Sequence, residues 1–281
     1  MNRSKVLVSC AIGKTYEAQS SVMMQSFLEH NPGWETRLFT EDILQSIIPA
    51  EWQHRDPFNL CEIGRWLAVK RLLAEGYDTV LYVDNDLYFY GDYQIKGYPL
   101  VLYPHYVTWN AAYEARSMLY KDGIPNIGIM EFNQVATTDY EIGVLDNICD
   151  FIYEETFNDF SRNSHEGKGW FQNIFSYLPG IFPGIRYNPD PSHDVAYWNL
   201  KHHDRILIEG KYGDNDIRVL SDGGEYLLKS FHFSNHCMKG LEDFPLAQKL
   251  RDVYIKRVRE LAPDYMTDMG NPPSLGTVNK K

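Results

Sequence analysis

The chain reads as one α/β domain, with a mixed, mainly parallel central sheet flanked by helices. Three observations predict this. Short β-branched and aromatic runs alternate with longer stretches of 3–4 apolar spacing, the order that builds β-α-β units. The 281 residues suffice for a full core, and no internal repeat or clear linker divides them. The run Tyr77 to Val83 is too short and too apolar for a helix and reads as a buried strand.

The elements follow in order. Lys5 to Ala11 is the first strand; Tyr16 to His30 carries Val22, Met23, Phe27 and Leu28 at helical spacing, and Asn31-Pro32-Gly33 stops it. Thr36 to Thr40 is a second strand, and Asp42 to Ile48 a short helix before Pro49. The helix at about Cys61 to Glu75 is the clearest, with Ile63, Trp66, Leu67, Lys70 and Leu73 in register and Gly76 as its stop. It leads into Val80-Leu81-Tyr82-Val83 and then Asp84-Asn85-Asp86. Leu87 to Tyr90 leads into a Gly91-Asp92 turn, and Pro99 to Tyr103 and Asn126 to Phe132 read as further strands, the last with Gly128 where something must approach closely.

A helix is expected from about Thr138 to Glu155, and a loop-rich stretch from Ser161 to Pro191. Ile206 to Ile208, Ile217 to Leu220 and Leu227 to Phe233 are three strands expected to close the mixed sheet. An amphipathic helix spans 247–261. The domain is drawn as 1–262, and 263–281 as a polar, flexible tail.

Bulk numbers narrow the function. A net charge of −11 argues against a broad nucleic-acid-binding surface but allows a nucleotide neutralised locally. The four cysteines have no metal-type spacing and demand no oxidising compartment. With no signal-peptide pattern and no run of about 20 apolar residues, a cytoplasmic location is expected. The basic helix, with Lys249, Arg251, Lys256, Arg257 and Arg259, admits two readings. It is either a solvated helix packed on the domain or a peripheral contact with the inner face of an anionic membrane.

Candidate chemistry starts at Asp84 and Asp86. Carboxylates just past a buried strand sit where open α/β sheets bind ligands, and two hard oxygen donors can hold a divalent cation that holds a diphosphate. The bland alternative is a turn cap with Asn85 shaping the turn. Context favours the cation, since the preceding helix carries Arg65, Lys70 and Arg71. His232, in Ser230-Phe231-His232-Phe233-Ser234, is a third ligand candidate that would favour manganese over magnesium; His236 competes with it. Lys239 could meet a diphosphate as a point charge. His193 to Leu200 is either a polar loop entering a core strand or a sugar-contacting wall of Trp198 and Asn199.

At these residues the chain resembles a known group. Val80 to Asp86 resembles the strand-plus-DxD motif of GT-A-fold (Rossmann-like) glycosyltransferases. Phe182-Pro183 followed by Val195 to Leu200 resembles a bacterial motif of that kind, and Phe231 to Ser234 is similar to the C-terminal histidine segment of the glycogenin-like (family 8-type) group. The resemblance spans about residues 5 to 245. It implies a nucleotide-sugar donor, usually a UDP-sugar, held by Mn2+ (or Mg2+) between Asp84, Asp86, His232 and the diphosphate. It also implies transfer to a glycan, lipid-linked or other hydroxyl acceptor, in surface polysaccharide or glycoconjugate biosynthesis.

Ser9 to Tyr16, including Ala11, would cradle the base and ribose; Arg65, Asn85, Asn126, Gly128, Trp198, Asn199 and Lys239 would complete the donor site. Gln172 is carried over as the group near the anomeric carbon of a retaining enzyme, the outcome the resemblance favours. An inverting enzyme would need a base, for which Glu131, Glu166 and Asp194 are candidates. The chain departs from the pattern at Phe171, where relatives carry Asp, at Asn235 in place of Gly, and at Lys239-Gly240 in place of Lys-Pro. Two rivals stand beside this reading. A sugar nucleotidyltransferase usually has a Gly-rich first loop, whereas Ala11 to Thr15 holds only Gly13; the other is a non-catalytic carbohydrate-binding protein on the same fold.

Overall fold

In the computed structural model, the described residues are 4–53, 57–117, 119, 123–134, 144–162, 172, 174–211 and 216–265. Strands β1 (Lys5–Cys10), β2 (Glu35–Phe39), β3 (Thr79–Val83), β5 (Leu100–Pro104), β6 (Pro125–Asn133) and β7 (Ile185–Tyr187) form one sheet in the order β2-β1-β3-β6-β5-β7. Pairing is parallel between β1 and β2, β1 and β3, and β5 and β7; β6 alone is reversed, antiparallel to β3 and β5. The architecture is thus mixed α/β with a mainly parallel sheet, as the sequence predicts.

The strands are apolar on both faces because helices cover both. Side chains alternate along a strand. Val6, Val8, Val80 and Tyr82 accordingly pack with Ile63, Trp66, Val69 and Leu72 of α3 (Pro57–Ala74) and Ile148 and Ile152 of α5 (Val144–Arg162). Leu7, Leu81 and Val83 face the other way, onto Met23 and Phe27 of α1 (Lys14–His30) and Trp34. Helix α2 (Glu41–Ile47) packs on α3 and β2.

Two small sheets stand apart from the large one. In the first, β12 (Ser230–His232) lies between β4 (Leu87–Phe89), antiparallel, and β8 (Val195–Ala196), parallel. In the second, β10 (Ile217–Ser221) pairs antiparallel with β9 (Ile206–Glu209) and β11 (Gly224–Leu227). Asp222 and Gly223 both have positive φ and close the β10–β11 hairpin as a type I′ turn. The expected closing strands are corrected here. Leu227 to Phe233 is not one strand: it ends one hairpin and then joins a different sheet.

Further differences lie along the chain. The stretch 161–191 contains α6 (Leu178–Ile181) and the sheet-edge strand β7 rather than loop alone, while α4 (Trp109–Glu114) and α7 (Tyr197–Lys201) are short helices. The predicted helix start at 138–143 lies outside the described residues. Helix α8 (Pro245–Leu261) packs on α1 and on the 3-10 helix Asn235–Asp243. The folded part passes residue 262: Tyr265 is buried, and its hydroxyl donates to Asn235 Oδ1 at 3.3 Å. Of the expected tail, 266–281 lie outside the described residues.

Candidate metal centre

Asp84 follows β3, and Asp86 ends the turn into β4. The antiparallel register sets His232 opposite Leu87, one residue past Asp86, and the Phe233 N–H donates to the Asp86 carbonyl at 2.8 Å. This pairing brings a residue 146 positions away against the acidic turn. His232 Nε2 lies 3.0 Å from Asp86 Oδ1, and one ligand atom each of Asp84, Asp86 and His232 lie within 4.8 Å of one another. His232 is 8% exposed at the side chain, Asp86 15% and Asp84 27%, so the imidazole is the floor and the carboxylates open to solvent.

Strand β6 closes the side. Asp84 N–H donates to Gly128 O at 2.7 Å, and Gly128 N–H donates to Asn126 Oδ1 at 2.8 Å. A Cβ on residue 128 would lie 2.9 Å from His232 Cε1, 3.0 Å from Asn126 Oδ1 and 3.1 Å from Asp84 Oδ2. Contacts of that length are repulsive, so the convergence requires glycine.

From α3, Arg65 reaches the cluster. Its Nη2 pairs with Glu62 Oε1 and lies 3.6 Å from Asp84 Oδ1, and the guanidinium sits 4.9 Å from the Tyr82 ring centroid. The Tyr82 hydroxyl donates to Asp84 Oδ1 at 2.9 Å. Burial raises the Asp84 carboxyl above its usual range; Arg65 opposes this and Asp86 adds to it. Burial would depress His232, but Asp86 and Asp194 together hold it well above the ordinary imidazole value. Burial pushes Glu62 up to about 7 against the pull of Arg65.

Two carboxylates and an imidazole, gathered where Gly128 leaves room, fit a divalent cation. A bound ion would take the place of the proton that His232 Nε2 shares with Asp86. Asp84, Asp86 and His232 are therefore the group that could hold a metal.

The other expected site residues divide. Arg65, Asn126 and Gly128 join the cluster, Asn85 lies between the two aspartates, and the Trp198 ring packs edge-on to His232 at 5.3 Å. Tyr16, at the start of α1, is half-buried, and Asp86 helps raise its hydroxyl after burial itself. Ala11 follows β1 and its N–H donates to Phe39 O at 3.0 Å. Gln172 Nε2 donates to Pro125 O at 2.9 Å and lies 3.2 Å from His105 Nε2, beside the strand that carries Asn126. Lys239 is exposed on the 3-10 helix. Phe171 and Glu166 lie outside the described residues, as does the side chain of His236.

Three expectations need correction. Glu131 is not placed as a base. It is fully buried and accepts from the Tyr93 hydroxyl at 2.6 Å, Lys96 N at 2.9 Å, Gly97 N at 3.1 Å and Asn133 Nδ2 at 2.7 Å. Asn199 is turned inward: it is fully buried, its Oδ1 accepts Ala196 N–H at 2.7 Å and its Nδ2 donates to His105 O, which ties α7 to the segment after β5. Asp194 does not point at an acceptor hydroxyl either. It is 1% exposed, with Oδ1 3.0 Å from His232 Nδ1.

Sequence reasoning missed Tyr82, Glu62 and His105. Tyr82 was findable, since strand alternation puts it on the same side as Asp84. Glu62 precedes Arg65 by three on one helix, the spacing at which side chains meet. His105, after the end of β5, gave no local signal; it contacts Trp198 edge-on at 5.8 Å.

Three of the basic residues of α8 pair with carboxylates on the protein. Lys249 pairs with Glu209, Arg251 with Glu242 and Asp252, and Arg257 with Glu29; the Arg257 guanidinium also sits 5.4 Å from the Tyr88 ring centroid. That engagement favours the reading of a helix packed on the domain. Among the described residues no helix is long and apolar enough to cross a membrane.

No family model matches the chain, and no curated protein sequence does. Among solved structures, the chain is similar to a glycosyltransferase involved in glycosylation of the major capsid of PBCV-1. That likeness has 10% identity over 92% of this chain and 99% of that one, with a TM-score of 0.49. It is also similar to the glycosyltransferase GlyE of Streptococcus pneumoniae TIGR4 (15% identity, 92% of this chain, 60% of that one, TM-score 0.49). A third is the galactosyltransferase LgtC in complex with donor and acceptor sugar analogues (12% identity, 89% and 95%, TM-score 0.45). These are remote likenesses, so the chemistry must be argued from this chain's own side chains.

Proposed function

We propose that the protein is a metal-dependent glycosyltransferase of the GT-A type, moving a sugar from a nucleotide-sugar, in first place a UDP-sugar, to a hydroxyl acceptor. The observation that carries the reading is the convergence of Asp84, Asp86 and His232 against Gly128. The mixed oxygen and nitrogen donor set favours Mn2+ over Mg2+. When bound, the cation supplies electrostatic stabilisation of the leaving diphosphate.

The chain's own residues do the rest. Asp84 and Asp86 hold the metal side of the diphosphate, and Arg65 and the Tyr82 hydroxyl fix the Asp84 carboxylate in place. Asn126 and Gly128 line the sugar side, and Trp198 offers an apolar ring beside the cluster. Ala11 and Tyr16 are the residues for the base and ribose. Gln172, tied by its amide nitrogen to Pro125 and His105, is the residue for the anomeric carbon in a retaining transfer. Lys239 is the cation for the diphosphate once donor is bound. The work belongs in surface polysaccharide or glycoconjugate synthesis, at a cytoplasmic location where activated sugars are made.

The test is release of nucleotide from a panel of nucleotide-sugars, with and without Mn2+, in the parent chain and in Asp84→Ala and Asp86→Ala. Mn2+-dependent release that both substitutions abolish is expected. No release from any donor, together with no metal-dependent nucleotide binding, would sink the proposal.

A further inference from the structure

Asp194 stands behind the metal cluster rather than in it. It immediately precedes β8, two residues before Ala196, which pairs in register with His232 of β12. Its φ of +53° is an uncommon conformation for a residue with a side chain, one that aspartate tolerates better than most. Three contacts hold it there. The Asp194 N–H donates to Ser230 Oγ at 2.8 Å; Arg205, itself fully buried, donates from Nη1 to the Asp194 carbonyl at 2.8 Å and to the His193 carbonyl at 2.7 Å. The side chain then has one direction to take, and Oδ1 meets His232 Nδ1 at 3.0 Å.

From these contacts we infer that Asp194 is a positioning residue: its carboxylate accepts the Nδ1–H of His232, fixes that tautomer, and so presents the Nε2 lone pair to the metal. The inference rests on the metal reading above and deepens it.

An imidazole can ligate through either nitrogen, and the partner of the other nitrogen decides which. His232 Nε2 is on the Asp86 side at 3.0 Å and Nδ1 on the Asp194 side at the same distance. The competing neighbour of Nδ1 is Asn126 Nδ2 at 3.5 Å, a donor that cannot accept an N–H, while Asn126 Oδ1 is already occupied by Gly128 N–H. Among the described residues an Nδ1 hydrogen therefore has one acceptor, the buried carboxylate. The negative charge there raises the basicity of Nε2 and locks the ring plane, which Trp198 also packs against.

The test uses the full chain and does not depend on knowing the sugar. Mn2+ affinity is measured by electron paramagnetic resonance in the parent and in Asp194→Asn, Asp194→Ala and His232→Ala, with metal-free melting temperatures as the control for folding. Loss of an outer carboxylate costs about 10–100-fold in metal affinity elsewhere. Asp194→Ala is expected in that range, and Asp194→Asn, which keeps an acceptor oxygen and tolerates positive φ, is expected to lose less. In the same proteins labelled with 15N-histidine and loaded with diamagnetic Zn2+, the parent should show His232 protonated at Nδ1 and metal-bound at Nε2. Asp194→Asn keeps this readout available if Asp194→Ala does not fold.

Protonation at Nε2 in the parent, or parent-like Mn2+ affinity in folded Asp194 variants, overturns the inference. If His232→Ala weakens Mn2+ binding while the Asp194 variants do not, only the positioning role fails. If the parent binds no Mn2+, the metal reading fails and takes this one with it.

Discussion

The backbone N–H of Asp84 donates to the carbonyl oxygen of Gly128 at 2.7 Å, so the acidic turn after β3 is pinned to the one reversed strand of the sheet. That bond brings Asp84 against residue 128, where Asp84, Asn126 and His232 leave no room for a side chain. Gly128→Ala is the direct test. Its Cβ would meet Asp84, Asn126 and His232 side-chain atoms at 2.9–3.1 Å, so those three must spread. The fold should survive with a loss of about 1–3 kcal/mol, as for other overpacked sites. Mn2+ affinity should fall more than tenfold, read by calorimetric titration beside a urea melt. Unchanged affinity would mean that the cluster does not act as one metal site.

Arg65 is the buried counter-charge of the cluster, at 5% exposure beside Glu62 at 12%. Arg65→Met leaves the Glu62 carboxylate buried without its partner, a kind of loss that costs about 3–5 kcal/mol. Adding Glu62→Gln removes the orphaned charge and should recover most of that stability in urea unfolding. It should not recover nucleotide-sugar cleavage, because Asp84 still lacks the guanidinium 3.6 Å away. A double variant no more stable than Arg65→Met would contradict the pairing.

Glu131 illustrates why part of the site was illegible. A carboxylate in an apolar strand looks catalytic when its partners are out of sight. Three of its four partners, Tyr93, Lys96 and Gly97, lie more than 30 residues earlier and outside any motif. Asp84 and Asp86 were readable because strand, turn and ligands share one local stretch. His232 was reachable only through its ligand chemistry and the family resemblance, since β12 and β8 have three and two residues and are too short to show a period of two. Asn199 was misread for a related reason: amide chemistry that suits a sugar equally suits capping a buried backbone N–H, and the fold uses it there.

The structural role of Glu131 makes its own prediction. Glu131→Gln replaces a four-donor acceptor with one oxygen and an NH2 group, so at least one buried donor loses its partner. A loss of at least about 1–3 kcal/mol should follow, read by thermal or urea melting. Nucleotide-sugar cleavage per folded molecule should stay at the parent level. A collapse of turnover with normal stability would restore Glu131 as a candidate base.

His193 gives the chain a titration that lies away from the metal ligands' faces. Its ring packs edge-on between Tyr93 and Tyr103 at centroid distances of 5.5 and 5.6 Å, and among the described residues its Nδ1 has no hydrogen-bond partner. Burial lowers it to about 4; Asp190 pulls upward, and Lys96, Lys229 and Arg205 push down. The unfolded chain therefore binds this proton first as pH falls, below about 6.5. The neutral folded form is fully favoured above that value, and stability drains away between about 6.5 and 4, by on the order of 3 kcal/mol. Glu62, raised to about 7, has the opposite slope: the folded chain holds its proton longer, so its contribution is present below about 4.5 and lost as pH rises toward 7. The two slopes overlap, so the parent curve alone cannot separate them. The difference between parent and His193→Phe can, because the phenyl ring keeps the aromatic packing and removes only the titration. Unfolding free energies from urea melts at pH 7, 6, 5 and 4 should show His193→Phe gaining on the parent as the solution becomes more acidic. A difference that stays flat with pH would mean that His193 is not held neutral by its burial.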